Sequence, residues 1–281
     1  MAHGPSVDQF ARDETRVLEQ FRLEGQIAVL TGASRGLGRA MALAMAGAGA
    51  DVALLGREIE TLEPVAAEIE ALGRRALALQ LDVAEIDTHA DTVGRIEREL
   101  GPISILINNA GVNVRADSLD YRAEDWDFVT GVNLRGAFFF TQACGQPMRA
   151  RRRGKVLNVC SMTCYLGVPQ TVAYSAAKAG LMQITRLLAV EWAEHHIQVN
   201  GISPGWFTTE MTSGIHGTPR EEWVLSRCPT GRFGHPSELV GAAVFLVSPA
   251  ADYITGQVLA IDGGILAGSD WRRGALGAIA P

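Results

Sequence analysis

The sequence predicts a single α/β domain, a doubly wound parallel sheet of seven strands with helices on both faces. Three observations predict it. Short apolar runs alternate with longer amphipathic ones from Gln26 onward, the first run passes into a glycine-rich turn and an alanine-rich helix, and no repeat or Pro/Ser-rich linker divides the 281 residues. A chain of this length can bury roughly 75% of its unfolded surface in one core, so neither a disulfide nor a metal is needed to hold it.

The elements follow in order. Residues 1–24 form a polar N-terminal extension in which Phe10, Val17, Leu18 and Phe21 recur at helical spacing, consistent with a docked helix or with a frayed tail. Apolar runs at 27–30, 52–55, 76–81, 103–107, 156–160, 199–202 and 258–261 read as buried strands. Amphipathic stretches at 38–48, 58–72, 88–100, 126–149, 173–194 and 238–246 read as the intervening helices. The longest irregular stretch, 205–236, is where a substrate lid fits. The catalytic domain is expected over 25–268 and a C-terminal tail over 269–281.

Composition removes several function classes. A net charge of −6 argues against a nucleic-acid partner, because such partners are held by concentrated basic charge. The one basic run, Arg149 with Arg151, Arg152 and Arg153, reads as a solvated turn before a strand. Four cysteines without a CxxC pair read as free thiols in a reducing compartment, with Cys160 as a small buried hydrophobe. Neither a signal peptide nor a bilayer-length apolar run is visible, so a cytoplasmic protein without a membrane partner is expected. His195 and His196 sit at a helix end with no metal-ligand spacing around them, and no metal site is expected.

The strand at 27–30 runs into Thr31-Gly-Ala-Ser-Arg-Gly-Leu-Gly38. Glycines allow a tight turn and close backbone approach, and the free N–H groups of the following helix attract phosphate, so this is the place for a dinucleotide pyrophosphate in a Rossmann-type fold. Gly32, Ser34, Arg35, Gly36, Leu37 and Gly38 are the candidate phosphate-side residues. About twenty residues further on, the second strand ends in Gly56-Arg57 with no acid to take a ribose 2′-hydroxyl. Arg57 and Arg35 suit a 2′-phosphate and hence NADP, while solvated arginines with Glu58 on the hydroxyl leave NAD as the alternative. Asp82 and Val83, at the end of the third strand, fall where adenine would lie, with Asp82 either accepting from its amino group or capping a helix.

Tyr174-Ser-Ala-Ala-Lys178 puts a phenol and an ammonium on one face of a long helix. A free tyrosine titrates near pH 10. A neighbouring ammonium lowers that value and fits the phenol for exchanging a proton with a ketone or alcohol oxygen.

These pieces, together with Asn108-Asn-Ala-Gly111, Asn133, Ser161 and Pro204-Gly205, resemble the short-chain dehydrogenase/reductase family over about residues 25–264. The resemblance implies an NAD(P)-dependent oxidoreductase interconverting a ketone and a secondary alcohol. It casts Tyr174 as general acid or base, Lys178 as the group that lowers its pKa and holds the nicotinamide ribose, and Ser161 as hydrogen-bond donor to the substrate oxygen. Asn133 would hold a water that passes protons to Lys178. Asn109, Ala110 and Gly111 would line the adenosine side, and Pro204, Gly205, Phe207 and Thr209 would cradle the carboxamide. The family likeness also implies a homotetramer built on helices around 138–148 and 181–194, whose apolar surfaces could equally be core. Leu54-Leu-Gly-Arg57 and Tyr253-Ile-Thr-Gly-Gln-Val-Leu-Ala-Ile-Asp-Gly-Gly264 resemble the gluconate 5-dehydrogenase group, with 3-oxoacyl carrier-protein reductases close by. A cofactor-binding sensor without chemistry is the alternative from another class. Thr163, Tyr165, Arg115 and Trp206 are the expected walls of the substrate site, with Arg115 either pairing with a substrate carboxylate or lying exposed in a loop.

Overall fold

Residues 13–268 are described by a computed structural model of the chain. Its seven strands are β1 (Ile27–Thr31), β2 (Asp51–Gly56), β3 (Ala76–Gln80), β4 (Ile105–Asn108), β5 (Gly154–Val159), β6 (Ile197–Pro204) and β7 (Val258–Ile261). They form one parallel sheet in the order β3-β2-β1-β4-β5-β6-β7. The strand order reverses between neighbouring β1 and β4, the chain passing from β3 at the left edge to β4, and this opens a crevice at the carboxyl ends of β1 and β4.

The helices are α1 (Gly36–Gly47), α2 (Glu63–Ala71), α3 (His89–Glu99), α4 (Ala123–Thr130), α5 (Ala137–Arg151), α6 (Val172–Glu191), α7 (Glu210–Ser213), α8 (Pro219–Arg227) and α9 (Ser237–Val247). Every residue of β1 is buried, as expected of a central parallel strand covered on both faces. Ala28 and Leu30 join a core with Met41, Met45, Ile69, Leu239 and Leu246 from α1, α2 and α9. Ile27 and Val29 point the other way, into a core with Val93, Ile96, Phe140, Met148 and Leu188 from α3, α5 and α6.

Three expected elements differ from those observed. The helix expected over 58–72 is a 3-10 turn at Ile59–Thr61 followed by α2, because Pro64 is tolerated only in a helix's first turn and so marks the start. The helix expected over 126–149 is interrupted by a π-helical turn, Gly131–Gly136. Gly136 presses on the Val83 carbonyl there, so closely that an added Cβ would lie 2.3 Å from its oxygen. The stretch 205–236 contains α7 and α8 and is tied down by a bridge between Phe207 and Gly234. The N-terminal arm is a kinked 3-10 segment, Glu14–Phe21, anchored by Phe21 against Phe245 at 5.9 Å and by fully buried Leu23. Val17 and Leu18 remain exposed, and Phe10 lies outside the described residues.

A buried polar chain crosses the right-hand core. Asn108 Nδ2 donates to Thr141 Oγ1 at 2.6 Å and to Asn158 Oδ1 at 2.8 Å, and Asn158 Nδ2 donates to Thr185 Oγ1 at 2.9 Å. These bonds lock β4, β5, α5 and α6 in one register just beneath the crevice. Asn158→Ala removes the shared partner and leaves a buried amide hydrogen unmatched, so denaturant unfolding is expected to show a loss of about 2 kcal/mol. A loss within experimental error would mean that packing alone sets the register.

Candidate active site

The carboxyl ends of the strands open into a cleft of about 880 Å³. Its left bank is the turn between β1 and α1, where Gly32 and Gly36 adopt positive φ of 63° and 54°. A Cβ on Gly32 would lie 2.9 Å from the Ala110 Cα, and one on Gly38 would lie 2.0 Å from the Gly32 oxygen, so only bare backbone fits. No side chain caps the N-terminus of α1, whose free N–H groups therefore face the cleft. The turn is braced from β4. Asn109 Nδ2 donates to the carbonyls of Thr31 (3.1 Å) and Gly32 (2.9 Å), and Thr31 Oγ1 accepts from the N–H groups of Asn109 and Ala110, both at 3.0 Å. A rigid backbone cradle with open donors fits a pyrophosphate.

Arg57 at the end of β2 lines the cleft, and among the described residues its guanidinium enters no ion pair; Glu58 is not part of the lining. Asp82 and Val83 line it too. Asp82 Oδ1 accepts from the Ala84 N–H at 2.9 Å in a local turn, so it caps no helix, since α3 begins at His89. Arg35 reaches across the cleft to Glu210, with Nη1 2.6 Å from Oε2.

The right bank brings Ser161, Tyr174 and Lys178 together. Ser161 follows β5 and is buried, its Oγ accepting from the Thr163 N–H at 3.2 Å. Tyr174 stands half-buried in the first turn of α6, and Lys178 one turn later is buried, its Nζ donating to the Val159 carbonyl at 2.7 Å and lying 5.8 Å from the centre of the tyrosine ring. Loss of solvent dominates their ionisation. Burial pushes the Tyr174 phenol up to about 12, against the opposing pull of the Ser161 side chain. Burial also lowers the Lys178 ammonium, which the neighbouring Cys160 and Cys164 thiols partly offset. Without cofactor the phenol thus lies above its ordinary value rather than below it, because burial outweighs the Ser161 hydrogen bond.

Of the residues expected in the site, Gly32, Ser34, Arg35, Gly36, Leu37, Gly38, Arg57, Asp82, Val83, Asn109, Ala110, Gly111, Ser161, Tyr174, Lys178, Pro204, Gly205, Phe207 and Thr209 all line the one cleft. Asn133 stands behind it. Its Nδ2 donates to Val112 and Val129 carbonyls, both at 2.8 Å, and its Oδ1 accepts from the Val112 N–H at 3.2 Å. One amide hydrogen and the Oδ1 therefore hold the segment that carries Gly111, the other hydrogen being taken by the preceding helix, and a Cβ on Gly111 would lie 2.7 Å from Asn133 Oδ1 and 3.6 Å from Lys178 Nζ. Arg115 lines the cleft with Asn113, Phe128 and Met211, but Thr163, Tyr165 and Trp206 do not. Tyr165 faces outward, and Trp206 is engaged by Phe233 and Arg220 on the lid. Sequence reasoning missed Thr31 and Glu210. The place of Thr31 at the last position of β1 could have flagged it, whereas nothing local distinguishes Glu210.

Comparison with known proteins places the chain in a family. A family profile described as Enoyl-(Acyl carrier protein) reductase matches residues 32–266. The chain is 43% identical over 246 residues to the gluconate 5-dehydrogenase of Gluconobacter oxydans, which covers 87% of this chain and 96% of that relative. The chain belongs to the short-chain dehydrogenase/reductase family. This family member is also 42% identical over 255 residues to the 2-dehydro-3-deoxy-D-gluconate 5-dehydrogenase of Escherichia coli, across 89% of this chain and 99% of the other. The crystal structure of a gluconate 5-dehydrogenase from Burkholderia cenocepacia in complex with NADP and tartrate superposes with a TM-score of 0.87 at 36% identity, over 90% of this chain and 99% of that one.

Because the raised phenol stays protonated until strongly alkaline pH, the tyrosinate absorbance of the cofactor-free protein is expected to differ from that of Tyr174→Phe by a step near pH 12. A step below about pH 9 would show the ammonium winning over burial.

Proposed function

We propose that this short-chain dehydrogenase/reductase uses NADP(H) to interconvert a ketone and a secondary alcohol of a sugar acid, as its gluconate 5-dehydrogenase relatives are named for doing. The observation that carries the proposal is the convergence of Tyr174, Ser161 and Lys178 at one end of a cleft whose other end is a bare-backbone phosphate cradle beside Arg57.

The cofactor supplies or accepts a hydride at the substrate carbon. In reduction the Tyr174 hydroxyl gives its proton to the oxygen that becomes the alcohol, and a phenol raised to about 12 remains a far stronger acid than the alcohol that forms. Ser161 donates a hydrogen bond to the same oxygen and stabilises the charge developing there. In oxidation the proton returns to Tyr174 as phenolate, with the Lys178 ammonium 5.8 Å from the ring opposing its charge. Lys178 is held for this, and for the nicotinamide ribose, by the Val159 carbonyl. Asn133 acts from behind, keeping Gly111 clear of the lysine. Arg115, in no ion pair among the described residues, is the cation for a substrate carboxylate.

The catalytic unit is assigned to 25–268, with 1–24 as an extension and 269–281 as a tail. A homotetramer is the proposed assembly, supported by large apolar side chains left in water: Leu187 and Val190 on α6, Leu259 on the edge strand β7, and Tyr253 beside it. A cytoplasmic location is supported by four free thiols. Among the described residues no helix is long and apolar enough to cross a membrane.

Two assays test the reading. Tyr174→Phe is expected to bind NADPH like wild type while turnover of a 5-keto sugar acid, followed at the nicotinamide absorbance, falls by about 10²-fold or more; near wild-type turnover would remove the mechanism. Arg115→Gln is expected to raise KM for that substrate about tenfold while leaving KM for an uncharged ketone unchanged. Equal effects on both substrates would deny Arg115 its role, and activity confined to acyl thioesters would replace the sugar-acid assignment.

A further inference from the structure

Resting on the NADP reading above, we propose that Glu210 is a positioning residue that weakens the preference for NADP(H) by competing with the adenosine 2′-phosphate for the Arg35 guanidinium. Two cations suited to that phosphate line the cleft, and they are not equivalent. Arg57 enters no ion pair among the described residues, whereas Arg35 is bonded to Glu210 on the opposite bank at 2.6 Å. The two partners are 175 residues apart in the chain, one in the turn after β1 and the other at the start of α7.

The lid is held so that Glu210 meets Arg35. Thr209 N–H donates to Thr212 Oγ1 at 3.0 Å, which fixes the first turn of α7. The Thr209 methyl sits against the glycine turn, 3.5 Å from where a Cβ of Gly36 would stand. The ion pair lies at that seam between lid and nucleotide turn. Both side chains are largely exposed, 70% for Arg35 and 68% for Glu210, so the pair is weak enough for a ligand to open. A phosphate dianion and a carboxylate on one guanidinium repel each other, so the 2′-phosphate either displaces Glu210 or binds against its charge. A cofactor lacking that phosphate leaves the pair intact. Glu210 therefore acts selectively on NADP(H), through Arg35, and holds the lid to the turn when the 2′-phosphate is absent.

The test is a set of dissociation constants for NADPH and NADH, read by nicotinamide fluorescence at low and high salt, in wild type, Glu210→Gln, Arg35→Gln and the double variant, with thermal midpoints as a control on folding. Glu210→Gln is expected to raise the NADPH-over-NADH affinity ratio about two- to fivefold, a gain that shrinks with salt and vanishes when Arg35 is also replaced. An unchanged ratio in Glu210→Gln, or the same gain in the Arg35→Gln background, overturns the proposal. A wild type that binds NADH more tightly than NADPH overturns the NADP reading itself, and this proposal with it.

Discussion

The structure depends on one close approach of bare backbone, where the turn after β1 meets the end of β4. Gly32 lies too near Ala110, and Gly38 too near the Gly32 carbonyl, for any side chain to intervene. Asn109 and Thr31 convert that proximity into a fixed shape by bonding across it in both directions. The shape matters because phosphate binding by backbone N–H groups is a matter of orientation. Donors already aimed at the ligand need no reordering when it arrives. Everything else in the cleft is referenced to this seam, including Gly111, three residues past the end of β4, and the lid that rests on Gly36.

The reactive end is governed by exclusion of water rather than by the simple attraction of opposite charges. Lys178 is buried and held by a carbonyl, Tyr174 is raised to about 12, and Ser161 is buried beside them. Such a site keeps its proton on the phenol at neutral pH, which is the state the proposed reduction needs. Its Cys160 neighbour is no nucleophile, since the adjoining Cys164 and burial push its thiol well above the ordinary range. The π-helical turn at Gly131–Gly136 belongs to the same arrangement. It widens the helix enough to bring the Asn133 amide under Val112 and to let Gly136 rest on Val83, both of which line the cleft.

Most of the cofactor half was legible from residue order, because its requirements are local. A strand, a turn that only glycine can make and a helix N-terminus occupy twelve consecutive residues, and the strand-end position of Arg57 follows from strand length alone. The Tyr174 and Lys178 pairing was legible for the same reason, since four residues on a helix share a face. What could not be read was which of two distant groups stand together. Asn133 was expected to hold a water for Lys178, and its side chain is bonded behind the cleft to Val112 and Val129, partners that its own neighbours in the chain do not announce. Thr163, Tyr165 and Trp206 were expected as walls and do not line the cleft: the first two sit in and just after a 3-10 turn, Met162–Cys164, and Trp206 is taken up by Phe233 and Arg220 of the lid.

The sequence by itself determined the periodicities, and with them the seven strands, the bare turn and the phenol beside an ammonium; these depend on backbone sterics and on spacing within a few residues. Only the tertiary structure decided how much water each ionisable group keeps and which charge faces which. The direction of the Tyr174 shift and the meeting of Arg35 with Glu210 both come from that enclosure, since desolvation and long-range pairing arise when segments far apart in the chain are folded onto one cleft.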